Sequence, residues 1–410
     1  MPPSLSPLAD PLPLADPSGS APAALPPAQA AAPLAPLPPS PPFASDQFVL
    51  NLPARQGLDE VRSRVLADDE GKWDVILPRH SLLMDRGTLL VPSEYEGDYP
   101  PSMTLSPWAT AQACTRLGIP TAYFRRCPTP LQDAQFNHWA WKGSGIHEEG
   151  GWDDEPEAPP TQDAAPERWL LRAKEGQVRG ILSQRYVRLD NRQLLDCLHP
   201  LLQSRYEVKS LALTEESLHL RLVDPALARD VLPNDRLVVG LHVANSEVGR
   251  RAVSVDALVY RLVCANGLIK LVRGRSLLRH RHVSWDEPRF AASLERALGE
   301  ALTAGAGLIE QLSWAARTPV TDVDGTLAAL VHQGSLTQDL REKVRRALLG
   351  TPPSQQETAY GLVNALTFVA QGLCPDDRYD LEVLAGRLLE NGFPKPVALA
   401  DARLAPGMRP

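Results

Sequence analysis

The sequence predicts an α+β protein in which a twisted, antiparallel central sheet is covered by C-terminal helices. Between residues 168 and 284, apolar runs rich in Val and Leu alternate with short polar turns, which is typical of consecutive antiparallel strands. From about residue 288 onward, the apolar residues recur at helical spacing, and glycines stand where helix ends are expected. A run of strands followed by a run of helices favours packing of those helices on the sheet.

The first 45 residues are expected to be a disordered, Pro/Ala-rich tail. Residues 1–43 hold 15 of the 40 prolines of the chain. This composition favours extended conformations and cannot build a packed core. The tail is interpreted as a solubilising extension, with a peptide-docking role as the alternative.

Residues 46–142 are predicted to form a small α+β lobe. The segments LDEVRSRVLAD and SPWATAQACTRLGIP indicate helices, whereas WDVILP and GTLLVP indicate short strands that end at prolines. Ser106 is placed to cap the second helix, and Gly118 and Pro120 are placed to end it.

An acidic segment follows the lobe at residues 143–167. It carries eight Asp and Glu residues and no Lys or Arg, which indicates a solvated loop. The alternative is a pseudo-substrate that screens a basic surface until a polyanion displaces it. The remaining predicted regions are a basic, β-rich, nucleic-acid-binding core at 168–287, a helical region at 288–394 and a tail at 395–410.

Positive charge is concentrated in the middle of the chain. When the sequence is divided after residues 167 and 289, the three parts carry net charges of −12, +8 and −3. A segregated basic block suits a surface that binds a polyanion, because each neutralised phosphate releases condensed counterions. An ordinary solvated surface is the alternative.

Three basic segments supply the candidate binding residues. GILSQRYVRLDN places arginines around a tyrosine that could stack on an unpaired base, HVANSEVGRR carries two arginines on a turn, and KLVRGRSLLRHRH has no acidic residue. The tyrosine could equally belong to the core, and the second segment could be an ordinary hairpin loop. The candidate nucleic-acid-binding residues are Arg179, Arg185, Tyr186, Arg188, Arg250, Arg251, Lys270, Arg273, Arg275, Arg279 and Arg281.

Other motifs in the chain favour structural roles. A turn is predicted at Asn266-Gly267, with Gly267 at positive φ. The five cysteines are scattered and include no CxxC pair, which argues against a disulfide framework and a zinc ribbon; Cys264 is expected to be a buried apolar residue. His280 and His282 stand among cations, so neither a metal nor another cofactor is expected.

The sequence shows no signature of catalysis or of membrane insertion. It contains no phosphate loop, nucleophile elbow or HExxH motif. No apolar run reaches the roughly 18 residues needed to span a bilayer, and the N-terminus lacks the pattern of a secretory signal. The protein is therefore expected to be cytoplasmic and non-enzymatic.

At these residues the chain resembles the DUF932 family of phage, plasmid and bacterial proteins. The resemblance is carried by ILSQRYVRLDN, NSEVG, YRLVCANGL and RHRH, with weaker support from TLSPWATAQACTRLGIPTAYF, TAYGLVNALTFVAQGL and YDLEVLAGRLL. It implies no established activity. Members occur in mobile-element contexts, and a basic module centred on a sheet is similar in architecture to single-strand annealing recombinases.

The leading hypothesis is a homo-oligomeric, non-catalytic single-stranded DNA-binding protein that supports strand annealing in DNA repair or recombination. One alternative is a metal-dependent nuclease that uses Glu247, Asp256 and either His280 or His282. Another is a mobile-element factor that binds an acidic protein through the same basic surface.

Overall fold

The computed structural model describes residues 47–91, 100–141, 167–202, 205–233, 235–262, 266–270 and 275–396. Several predictions fall outside these residues. They concern the N-terminal tail, nearly all of the acidic segment, the end of the chain from residue 397, and the individual residues Cys264 and Arg273.

Strands and helices are interspersed up to residue 198, the described elements between residues 207 and 280 are strands, and those from residue 287 onward are helices. The strands are β1 Gln47–Pro53, β2 Lys72–Pro78, β3 Leu83–Asp85, β4 Thr88–Leu90, β5 Ser102–Leu105, β6 Arg168–Lys174, β7 Gln177–Ser183, β8 Glu207–Leu213, β9 Leu218–Leu232, β10 Asp235–Asn245, β11 Val253–Arg261, β12 Asn266–Lys270 and β13 Leu278–His280. The helices are α1 Ala54–Asp69, α2 Pro107–Leu117, α3 Thr121–Phe124, α4 Thr129–Trp141, α5 Asn191–Leu198, α6 Glu287–Ala315, α7 Val323–His332, α8 Gln338–Leu349, α9 Pro353–Gln356, α10 Ala359–Ala370 and α11 Pro375–Asn391.

The α+β prediction is confirmed, with two sheets rather than a single central one. Sheet A has the order β1-β8-β9-β10-β11-β12, and β13 pairs with β11 beside β12. Sheet B has the order β2-β6-β7-β5-β4-β3. The pairs are antiparallel except β5 with β7, which run parallel. The N-terminal lobe therefore shares its sheet with the start of the basic core.

Strand β11 shows how sheet A is covered on both faces. Val253 and Val255 belong to the apolar cluster that includes Phe290 of α6. Because side chains alternate along a strand, Asp256 and Tyr260 point to the opposite face, where helix α11 packs. This face of sheet A, beneath α11, is unusual because many of its buried side chains are polar.

Local sequence signals correctly indicate where helices begin and end. Ser106 accepts a hydrogen bond from the Ala109 N–H at 3.0 Å and so caps α2. Gly118 ends that helix with φ of 71°. A capping box of Asp190 and Gln193 starts α5.

The predicted turn at Asn266-Gly267 is wrong. These residues are the first two of β12, paired with Arg261 and Tyr260 of β11, and Gly267 does not have positive φ. Close packing favours the glycine instead, because a Cβ there would lie 2.9 Å from Cδ1 of the buried Leu258 side chain, which would have to shift. Among the described residues, no helix is both long and apolar enough to cross a membrane.

Candidate nucleic-acid interface and the polar network beneath it

The three basic segments of the sequence meet around Tyr186. Its ring stacks on His282, with centroids 4.8 Å apart and an interplanar angle of 11°. Its hydroxyl donates to the carbonyl of Ser246 at 3.1 Å. The neighbouring Val187 N–H donates to the carbonyl of His282 at 2.9 Å. One tyrosine thus joins the segment at 180–191 to the connection after β10 and to the segment at 270–282.

Beside this junction lies a cavity of about 700 Å³, which we call the arginine cleft. One wall is formed by the segment that contains β13, and the other by α11. The cleft is lined by Arg275, Ser276, Arg279, Arg281, Tyr379, Asp380, Val383 and Arg387. Strand pairing fixes this arrangement, because Arg279 lies opposite Ser254 of β11 and shares its sheet face.

The four arginines of the cleft have no carboxylate partner among the described residues. Arg275, Arg279 and Arg281 are exposed, and the ion pairs found in the described part of the chain involve neither these three nor Arg387. Asp380 is the acidic residue that lines the cleft. Four guanidinium groups against one carboxylate leave a strongly positive concave surface.

Two of the remaining candidates are exposed at the edge of this surface. Arg185 is exposed, and Arg188 keeps 46% of its side chain accessible while its Nε lies 2.8 Å from Asp74 Oδ2. Lys270 lies further along sheet A, where its Nζ donates to Gln311 Oε1 at 3.3 Å.

Arg250 and Arg251 lie on the connection between β10 and β11 and contact protein groups. The Arg250 guanidinium lies 4.6 Å over the Trp108 ring, and its Nε is 3.6 Å from Glu216 Oε2. Arg251 forms an ion pair with Asp376 and lies 4.6 Å over the Tyr379 ring. These contacts hold the connection against α2 and α11.

Arg179 does not lie on the surface where the sequence places it. Only 4% of the residue is accessible, and its Nη2 donates to the Glu215 carbonyl at 2.9 Å and to Glu247 Oε2 at 3.2 Å. A buried arginine is retained only when carboxylates and carbonyls satisfy it. Its geometry is that of a structural ion pair.

Glu247 is the partner that holds Arg179, and it joins the two sheets. Lys72 Nζ of β2 lies 2.9 Å from Glu247 Oε2, and the Asn191 N–H donates to Oε1 at 3.0 Å. Burial alone would raise the pKa of Glu247, but Lys72 and Arg179 lower it to about 2. The carboxylate is therefore charged and fully engaged, which leaves it no free oxygen with which to serve the nuclease alternative.

The other residues of the nuclease alternative lie elsewhere. His280 Nε2 is 2.8 Å from the Ser284 carbonyl, while His282 stacks on Tyr186, and burial lowers the pKa of His282 to about 4. Asp256 lies beneath α11, in a different network from Glu247. Within the described ranges, no group of three or more His, Cys, Asp or Glu residues is arranged to hold a metal ion.

A chain of buried polar groups extends from the arginine cleft into sheet A. Tyr379 lines the cleft, and its hydroxyl donates to Asp256 Oδ2 at 3.0 Å. His242 Nδ1 lies 3.8 Å from the same oxygen, and His242 Nε2 lies 3.1 Å from His219 Nδ1. His219 Nε2 is then 3.4 Å from Asp376 Oδ1. Such a network is uncommon inside a sheet-helix interface and rigidifies it when satisfied.

Burial sets the protonation of this network. Desolvation lowers the pKa of His219 to about 4 and that of His242 well below its ordinary value, so both rings are neutral at pH 7. If His219 donates to Asp376, it must accept from His242, which leaves the bare Nδ1 of His242 facing Asp256. Desolvation also raises the pKa of Asp256 to about 6. The unprotonated Nδ1 of His242 favours the protonated, neutral form of Asp256.

Helix α11 supplies site residues that were absent from the sequence prediction. Arg387 and Tyr379 line the cleft from this helix together with Val383. These three residues are spaced four apart, which places them on one helix face. The spacing could have indicated from the sequence that these residues share a helix face. An arginine on such a face is usually solvated, however, so the role of Arg387 becomes visible only from the arginines on the opposite wall of the cleft.

Comparison with known proteins finds a similarity between the centre of the chain and one family. A family model described as "Domain of unknown function (DUF932)" matches residues 178–371. No curated protein and no solved structure matches the chain significantly. The match runs from β7 to the end of α10 and includes all three basic segments, whereas α11 follows it. The central part of the chain, over residues 178–371, is therefore similar to the DUF932 family.

Proposed function

We propose that the protein binds single-stranded DNA through the arginine cleft and supports strand annealing in DNA repair or recombination. The observation that carries this proposal is the set of four cleft arginines without carboxylate partners. Guanidinium groups that face one another repel, and a bound polyanion relieves that repulsion while its counterions are released.

The size of the cleft supports a single strand as the ligand. A cavity of about 700 Å³ falls within the range of pockets that enclose small molecules, roughly 300–1,000 Å³. One phosphate-sugar chain can enter such a space. The exposed Arg185 extends the positive surface beyond the junction formed by Tyr186 and His282.

The state of the aromatic residues supports annealing rather than base recognition. Tyr186 stacks on His282, and the Tyr379 ring is contacted by Arg251 and by His242. Neither ring is a free platform for a base, so the contacts available to DNA are mainly those of its phosphates. A strand held in this way keeps its bases available for pairing. A second copy of the chain would hold the complementary strand, which makes a homo-oligomer part of the proposal.

The decisive experiment removes charge from the cleft. In the triple variant R275A/R279A/R281A, affinity for a fluorescent single-stranded oligonucleotide should fall, and the slope of log K against log salt should become shallower by about 2, at roughly 0.7 per phosphate contact. A matched control is R296A/R317A/R346A, which removes three exposed arginines from α6, α8 and the turn after α6. Anisotropy at two salt concentrations, with single-stranded and duplex DNA, measures both effects.

Different results would replace the proposal. Wild-type affinity in the cleft variant, or equal losses in both triple variants, would remove the cleft from DNA binding. Cleavage of the labelled strand that depends on a divalent ion would favour the nuclease alternative. Poor affinity for any nucleic acid at physiological salt would favour an acidic protein partner. Annealing is tested directly by mixing complementary strands that carry a donor and an acceptor dye and by measuring their pairing through fluorescence energy transfer.

A further inference from the structure

We infer that the arginine cleft receives the terminal phosphate of a DNA strand, a phosphomonoester, in preference to an internal phosphodiester. This inference rests on the proposed function and names the part of the DNA that the cleft recognises. The surface along Arg185 would then contact the phosphates that follow the bound end.

Positive charge from two elements lines the same cleft. Arg275, Arg279 and Arg281 approach the cavity from the β13 segment, and Arg387 approaches from α11. A track for internal phosphates spreads its cations along a path, since each phosphodiester carries one charge. A terminal phosphate carries about −1.5 to −2 at pH 7 and presents three acceptor oxygens at one point. Four guanidiniums around one cavity match this second pattern.

The rest of the cleft lining leaves guanidinium groups as the available donors. Ser276 also lines the cleft, but its hydroxyl is hydrogen-bonded to Asp256. Tyr379 is the aromatic residue of the lining, and its hydroxyl is committed to Asp256 while its ring contacts Arg251. The cleft therefore lacks a free aromatic face for a base, and its available donors suit a phosphate group.

Exposed basic residues also lie outside the cleft. Arg281 lines the cleft, and the next residue, His282, stacks on Tyr186 and accepts a hydrogen bond from the Val187 N–H at its carbonyl. Arg185 lies one residue before Tyr186 and is exposed. The positive surface thus consists of a concentrated site at one end and dispersed arginines beside it, which is the arrangement needed for a strand end and its adjoining backbone.

Three oligonucleotides of one sequence test the inference. They carry a 5′-phosphate, a 3′-phosphate or hydroxyl groups at both ends, and their Kd values are measured by anisotropy with the full-length chain. One phosphorylated oligonucleotide should bind about tenfold more tightly than the unphosphorylated one, as expected for one or two added charge-assisted hydrogen bonds. The phosphorylated end that gains affinity identifies the polarity of the bound strand.

Two variants separate the end site from the adjoining surface. Arg387→Ala should bring the ratio between phosphorylated and unphosphorylated oligonucleotides close to one. Arg185→Ala should weaken all three oligonucleotides by the same factor and keep the ratio. Arg387→Lys, which keeps the charge but loses the bidentate geometry, should give an intermediate ratio. Circular dichroism and thermal melting confirm that each variant is folded.

The possible failures are distinguishable. Equal affinity of the wild-type protein for the three oligonucleotides would overturn the inference and leave the proposed function intact. An unchanged ratio in Arg387→Ala would place the end site elsewhere and overturn its assignment to the cleft. Failure of every oligonucleotide to bind would contradict both the inference and the proposed function.

Discussion

Asp256 is the residue that connects the arginine cleft to the interior of sheet A. It is fully buried, it accepts a hydrogen bond from Tyr379, and it faces His242. A charged carboxylate is costly in such a place unless a cation compensates it. Desolvation by burial raises its pKa from 3.8 to about 6, because the hydrogen bonds from Ser276, Tyr379 and Ser254 and the Arg251 guanidinium offset the burial only in part.

This shift predicts how stability depends on pH. The folded protein holds the Asp256 proton more tightly than the unfolded chain, so the stabilisation is complete below pH 3.8 and is lost as the pH rises through 6. Asp256→Asn keeps an uncharged group whose amide oxygen can accept from Tyr379. Between pH 4 and pH 8, the variant should gain about 2–3 kcal/mol in unfolding free energy relative to wild type, at about 1.36 kcal/mol per pKa unit.

Urea denaturation at a series of pH values measures this difference. Asp230→Asn, at an exposed carboxylate of β9, is the control and should give a curve parallel to that of the wild type. Parallel curves for Asp256→Asn and wild type would show that the buried carboxylate stays charged in the folded protein.

Charged residues illustrate what could not be predicted at this scale. Arg179 and Glu247 were expected at a DNA surface or a metal site, yet they hold each other inside the protein. Lys72, the second cation that pairs with Glu247, lies 175 residues before it, so no local pattern reveals the contact. Arg275, Arg279 and Arg281 were predicted as surface residues because an acid-free run of this kind can hardly be buried, and they are exposed.

At the scale of elements, helix α11 determines both the cover of sheet A and one wall of the cleft. It packs directly on β12 at Gly386, where a Cβ would lie 2.1 Å from the carbonyl oxygen of Ile269. Arg387 follows this contact by one residue. The depth at which the helix sits therefore sets the position of Arg387 in the cleft.

Gly386→Ala should push α11 away from the sheet. The expected cost is about 1–3 kcal/mol of unfolding free energy, as for overpacked sites, together with weaker binding of single-stranded DNA. The matched control is Gly307→Ala in α6, where no atom lies within 4 Å of the added Cβ. That variant should be neutral or more stable by up to about 1 kcal/mol, because alanine is the better helix former.

Chemical denaturation and anisotropy on the same preparations check both expectations. An Ala variant at 386 with wild-type stability would show that α11 can shift without cost. Wild-type DNA binding by a destabilised variant would show that the position of α11 does not determine binding in the arginine cleft.

Elements with a strong local period were predictable, and their assembly was not. The helices α6, α8, α10 and α11 and the strands from β8 to β11 follow their apolar spacing. The turn at Asn266-Gly267 was wrong because its residues suit a turn by type, whereas close packing against Leu258 favours the glycine within a strand. The division into two sheets depends on pairings such as β2 with β6, almost one hundred residues apart, which no local pattern encodes.

At the scale of the whole molecule, a positive cleft stands in a chain whose net charge is −7. The excess of acid is greatest before residue 168, where the net charge is −12, and the basic part follows directly. Charges separated by less than about 10 Å interact appreciably at 0.1 M salt. An acidic segment joined to a basic surface can therefore compete with DNA for that surface.

Deletion of residues 148–163 tests this competition. The deleted residues include seven of the eight acidic side chains of the 143–167 segment, and Glu167 is the one that remains. Their loss should tighten single-stranded DNA binding at low salt. The gain should shrink as salt rises, because screening weakens the internal competitor as well as the DNA contacts. Replacement of the same residues by an equally long Gly/Ser segment separates the loss of charge from the loss of length. Unchanged affinity at low salt in both proteins would identify the segment as a solvated loop without a role in binding.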